Sequence, residues 1–181
     1  MLFTPQSCTF VLVDVQEKLT PLVDQSESLV KQCCILIKAA KILEIPILWL
    51  EQYPKGLGHT VPALAEQLSN HTQPVEKIAF SGCFEEACEK RLREINRDQC
   101  VVMGIEAHVC VFQTVIDLIR SEKSVQVVTN AVSSRDPFNK EVALRRMEQE
   151  GAGLSSVEMI LFELLRGSKH ACFKEIQALI K

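Results

Sequence analysis

The stretch Val101-Val102-Met103-Gly104-Ile105-Glu106-Ala107-His108-Val109-Cys110-Val111 sets the reading of the whole chain. Its first half is apolar without polar alternation, as in a strand covered on both faces. Its second half runs into Val109–Ser121, where apolar residues recur at helical spacing. A covered strand followed by a helix is half of a parallel βαβ unit, and the pattern repeats along the chain. Further apolar, β-branched runs are Thr9–Val15, Pro46–Leu50, Val75–Phe80, Val125–Thr129 and Gly153–Ser156. Between and after them lie helical stretches at Ser28–Leu43, Val61–Leu68, Phe84–Ile95, Lys140–Glu150, Val157–Leu165 and Ala171–Ile180. The expectation is a single α/β domain over residues 1–181, with a six-stranded parallel sheet between two helical layers, in Rossmann-like order 3-2-1-4-5-6.

In such a sheet ligands bind beyond the carboxyl ends of the strands, where the strand order reverses. That rule selects the ends of strands one and four, which carry Asp14 and lead to Cys110. A cysteine at a helix start sits near free N–H groups and the positive dipole end, which favour a thiolate. The same N–H groups can hold an oxyanion. The plainer role for such a cysteine is apolar filler in the core. Asp14 breaks the apolar run Phe10-Val11-Leu12-Val13; it is either a base of raised pKa or a turn-forming residue at a strand end. Lys77 is either a cation serving the same face or an edge-strand lysine that guards against aggregation. His108 stands too near Cys110 in sequence to face it from one helix, so it suits the pocket rim better than the role of base.

Composition removes several classes. With 20 Lys and Arg against 23 Asp and Glu, no basic cluster marks a nucleic-acid surface. No apolar run is long enough for a membrane span. The start Met1-Leu2-Phe3-Thr4-Pro5 lacks a basic region followed by an apolar one, and the eight cysteines mostly fall in apolar or helical segments. They read as reduced thiols of a cytoplasmic protein. Neither a CxxC pair nor a glycine-rich phosphate loop occurs, which counts against a structural zinc site and a flavodoxin-like module.

Five segments now line up: Leu12–Lys18, Glu51–Gly58, Glu76-Lys77 with Phe80-Ser81, Gly104–Val111 and Ala131–Arg135. In this order they resemble the isochorismatase-like cysteine hydrolases, in the branch of small isochorismatase-domain proteins with unassigned substrates. The resemblance implies a catalytic triad on Asp14, Lys77 and Cys110. It implies a non-proline cis peptide at Ile105–Glu106, with the N–H groups of Glu106 and Cys110 as oxyanion hole. Strand order alone separates strand three from strand four, so Lys77 enters the site through the resemblance only. Nicotinamidases of this superfamily carry Asp-x-His after strand two to bind a metal. Here the segment reads Glu51-Gln52-Tyr53, so neither metal nor other cofactor is expected. Some members of the superfamily that act on a vinyl ether lack this cysteine, so the resemblance implies not that reaction but hydrolysis of a small amide or related acyl substrate through a thioester at Cys110. Gln16, Tyr53, Phe80 and His108 are candidates for lining the substrate pocket. The resemblance also implies a homo-oligomer, with no nucleic-acid or membrane partner. The reading from another class is a non-catalytic oligomeric scaffold of the same fold.

Overall fold

Strand β1 (Cys8–Val13) is buried at every position, and its side chains alternate between two cores. Phe10 and Leu12 pack on one face of the sheet; Val11 and Val13 pack on the other. This two-sided burial is the reason the strand shows no polar alternation. The computed structural model describes residues 2–181. Beside β1 lie β2 (Ile47–Gln52) and β4 (Gln99–Ile105), both parallel to it. Outward follow β3 (Val75–Lys77) on one side, then β5 (Ser124–Ser133) and β6 (Gly153–Ser155) on the other. The order is β3-β2-β1-β4-β5-β6, all parallel. The order expected from the sequence is the one found, with strand order reversing between β1 and β4.

One face is covered by α1 (Ser26–Ile42), α3 (Pro62–Leu68), α7 (Val157–Leu165) and α8 (Phe173–Leu179). The other is covered by α4 (Glu86–Ile95), α5 (Phe112–Arg120) and α6 (Pro137–Gln149). A short helix, α2 (Pro54–Leu57), lies inside the segment 51–60 that reads as irregular in sequence.

Most boundaries shift by a few residues from the expectation, and three of the shifts have a clear local reason. β3 ends at Lys77 rather than Phe80, because Glu85 Oε1 accepts from the Ile78 and Ala79 N–H groups (2.7 and 2.9 Å) and draws the chain off the sheet. β5 continues to Ser133 through Asn130, which looks like a turn residue. A register irregularity between Val102 and Gly104 carries the pairing past it, and Asn130 Oδ1 accepts from Val157 N (2.9 Å) at the start of α7. α6 starts at Pro137, since Asp136 caps it by accepting from Phe138 N (2.9 Å).

Gly104 fixes how closely β4 approaches β1. Its φ is +126°, and a Cβ there would lie 2.0 Å from the Val13 carbonyl oxygen. Only glycine lets the two backbones meet this way, immediately before Asp14.

Candidate active site

The apolar run of β1 ends at Asp14, which turns into the left-handed region with φ 54°. A non-glycine residue there is uncommon, and aspartate is among the residues that tolerate it best. The carboxyl is fully buried. Its Oδ2 accepts from Lys77 Nζ at 2.7 Å, while its Oδ1 is buried without a hydrogen-bond partner. Burial raises the pKa of Asp14 above the ordinary carboxylate value, and the Lys77 charge opposes that rise.

Lys77 arrives from the edge of the sheet, two strands away. It stands in register beside Gln52 at the end of β2, and its side chain crosses above that strand end to reach Asp14. Nζ also donates to Gln52 Oε1 (2.6 Å) and to the carbonyls of Ala79 (3.3 Å) and Phe80 (3.0 Å). The side chain is buried, so the exposed edge-strand role does not apply. The length of the lysine chain bridges the gap that strand order leaves.

Cys110 lies within a π-helical turn, Ala107–Val111, which precedes α5. Its thiol is 4.0 Å from Gln52 Oε1, and it is nearly buried. The thiol does not have the lowered pKa expected from a helix start. Burial pushes it up to about 12, the Asp14 charge adds to the rise, and Lys77 only partly offsets it. Burial disfavours the charged thiolate, and here that penalty outweighs the pull of a helix start. The resting group is therefore a neutral thiol beside a carboxyl. The Ile105–Glu106 peptide is cis. The Glu106 side chain turns away to Arg135, accepting from its backbone N (2.9 Å) and from Nε (3.0 and 3.1 Å).

The other candidate pocket residues separate into two groups. Gln16 has no polar atom to offer a ligand: Nε2 donates to the carbonyls of Gln52 (2.9 Å) and Gly58 (2.6 Å), and Oε1 accepts from Gln52 N (2.7 Å). Its buried amide ties β1 to the segment after β2. Tyr53 and Phe80 are each about half exposed at the strand ends. The Tyr53 ring folds over Gly56, where any Cβ would meet it at 2.2 Å. His108 is half-buried, and its Nδ1 lies 2.9 Å from Ser134 Oγ. A cleft of about 190 Å³, lined by Tyr53, Pro54, Ile78 and Glu85 among others, opens beside Lys77. A wider groove of about 610 Å³ sits between Lys41, His71, Arg91 and Arg97, but those residues flank Pro46 and Ile47 at the opposite end of β2.

Sequence reasoning missed Gln52 and Glu51. Glu51 is buried; its Oε1 accepts from Thr60 N (2.6 Å) and its Oε2 contacts His59 Nδ1 (3.1 Å). Thr60 Oγ1 in turn accepts from Trp49 Nε1 (2.7 Å). Among the described residues, no three His, Cys, Asp or Glu side chains form a group that could hold a metal ion.

The comparisons with known proteins point one way. The model of the isochorismatase domain matches residues 8–159. Isochorismatase domain-containing protein 2A of Mus musculus is 40% identical over 178 residues, covering 98% of this chain and 84% of the mouse protein. A solved Caenorhabditis elegans structure described as MAR1 ribonuclease is 40% identical, with a TM-score of 0.94, covering 99% of this chain and 92% of its own. The Escherichia coli YcaC gene product, described as an octameric hydrolase of unknown specificity, shares the fold at 21% identity and a TM-score of 0.89, covering 99% and 95%.

Proposed function

The chain belongs to the isochorismatase family, and on that premise we propose that it is a cysteine hydrolase of small amides or related acyl compounds, with Asp14, Lys77 and Cys110 as its catalytic residues. One observation carries this reading: a buried carboxylate oxygen, Asp14 Oδ1, has no partner while its twin is fixed by Lys77. A buried acceptor left open is costly unless a proton donor visits it. Cys110 borders the same cluster, its sulfur 4.0 Å from the Gln52 Oε1 that shares Lys77 with Asp14, so we assign the thiol as that donor.

Asp14 accepts the thiol proton as Sγ forms its bond to the carbonyl carbon. Negative charge then moves to the carbonyl oxygen, which the backbone N–H groups of Glu106 and Cys110 stabilise. The intermediate collapses, the C–N bond breaks, and the amine leaves with the proton held by Asp14. Water then gives a proton to Asp14 and attacks the thioester. Release of the acid returns that proton to sulfur. Lys77 keeps Asp14 in place and balances the charge throughout. Because burial opposes free ionisation of the thiol, proton transfer is coupled to attack.

No metal has a part in this scheme, since Glu51 and His59 are already engaged in holding the segment 51–60. Tyr53 lines the cleft beside Lys77, and Phe80 and His108 are assigned to its rim. The eight free cysteines suit a reducing compartment, and the cytoplasm is proposed on that ground. Exposed Ile78, Phe80 and Phe84 near the mouth favour a homo-oligomer, the state named for the Escherichia coli neighbour.

The test is a panel of small amides and thioesters, with a fluorogenic single-stranded RNA as a further arm, against wild type and Cys110→Ala. Acyl hydrolysis that disappears in Cys110→Ala supports the reading. RNA cleavage that Cys110→Ala abolishes, without acyl turnover, overturns it in favour of the chemistry named for the nematode relative. Absence of both activities supports a scaffold.

A further inference from the structure

We propose that Gln52 is a positioning residue that sets the proton affinity of Asp14 by sharing Lys77 as a neutral acceptor. The inference rests on the reading of Asp14 as base and Cys110 as nucleophile.

The orientation of the Gln52 amide is dictated by its neighbours. Lys77 Nζ can only donate, and the Ile78 carbonyl can only accept. The first faces Gln52 Oε1 at 2.6 Å and the second faces Nε2 at 2.6 Å. The opposite amide orientation would set donor against donor and acceptor against acceptor. The backbone is equally fixed, because Gln16 binds both the N–H and the carbonyl of Gln52. Oε1 is thus a rigid acceptor, at the short end of hydrogen-bond range from Lys77 and 4.0 Å from the Cys110 sulfur.

The neutrality of this acceptor matters. The ammonium serves Asp14 and three neutral oxygens, those of Gln52 at 2.6 Å and of the Ala79 and Phe80 carbonyls at 3.3 and 3.0 Å, and only Asp14 carries charge. An apolar group in place of Gln52 releases Lys77 toward Asp14, which favours the carboxylate and weakens the base. A carboxylate in its place adds a second anion, which opposes ionisation of both Asp14 and Cys110. The amide holds the unit between these limits.

The experiment needs no substrate. The rate of Cys110 alkylation by iodoacetamide is followed against pH by peptide mass spectrometry. The half-buried Cys172, remote from the site, serves as internal reference. Wild type should show an acid limb from Asp14 that Cys172 lacks, and Asp14→Asn should lose it. The expected result for Gln52→Met is a limb moved to lower pH by about one unit; for Gln52→Glu, one moved higher by a similar amount. A merely structural role for Gln52 lowers the melting temperature of both variants and leaves the limb in place. An unmoved limb, or displacement in the same direction in both, overturns the proposal. If either variant fails to fold by circular dichroism, Gln52→Asn replaces it; the shorter amide withdraws from Lys77 and should move the limb down, and an unmoved limb there overturns the proposal equally. A limb that survives in Asp14→Asn sinks the underlying assignment of the base. Its loss in Asp14→Asn with no response to the Gln52 variants sinks only the role of Gln52.

Discussion

Asp14 combines a left-handed backbone, full burial and one unpartnered oxygen in a single residue. Strain of that kind costs on the order of 1–3 kcal/mol and persists where the surroundings enforce it. Asp14→Asn keeps the shape and removes the base, so turnover on an acyl substrate should fall by about 10²–10⁴ with the fold intact by circular dichroism. Undiminished turnover would remove Asp14 from the mechanism. The wild-type pH profile follows from the same residue. Because burial raises the Asp14 pKa and the carboxylate is the active form, kcat/KM should climb with pH through a limb above the ordinary carboxylate value of 3.8. A limb at or below that value would contradict the desolvated base. Asp14 was legible in sequence because a charge interrupting an apolar strand stands out. Gln52 was not, because its partners Lys77 and Ile78 lie 25 and 26 residues further along the chain and no local pattern announces them. The thiol pKa was misread because position at a helix start says nothing of the burial that dominates it.

Among the elements, β4 and the segment 51–60 hold the site in place by different means. β4 relies on contact between backbones. Gly104→Ala would drive a methyl into the Val13 carbonyl, so it should destabilise the protein by about 3 kcal/mol or more in urea unfolding. A loss within about 0.5 kcal/mol, the range of ordinary surface changes, would mean that β1 and β4 can separate at little cost. The segment 51–60 relies on polar latches instead. Glu51 raises the pKa of the exposed His59 above its ordinary value of 6.5. A histidine of raised pKa lends stability that is complete below the unfolded value and is lost as pH rises through the folded one. The hold on His59 should therefore loosen as pH climbs upward from about 6.5. Backbone amide exchange near Thr60, corrected for its intrinsic pH dependence, should rise across that window in wild type and not in His59→Ala. Equal profiles would assign the latch to Thr60 alone. This segment read as irregular because its order comes from Gln16, Glu51 and Trp49, none of which leaves a periodic signal.

At the scale of the molecule, the alternation of continuous apolar runs with amphipathic stretches was enough for strand order and layers, since a sheet buried on both faces tolerates little polarity. The proposed assembly is not written in any such pattern. It is expected to appear as a mass that is a multiple of 20.3 kDa in light scattering, and a monomer at micromolar concentration would overturn it. The chain also carries a built-in optical reporter. Trp49 is the sole tryptophan, and its indole N–H is hydrogen-bonded to Thr60 in the latched segment. Emission from one buried indole thus follows two events without any label. A small change near neutral pH would track the local opening around His59, whereas a large red shift in denaturant would track collapse of the sheet. Their separation, or merger, would measure whether the mouth of the site moves as an independent unit.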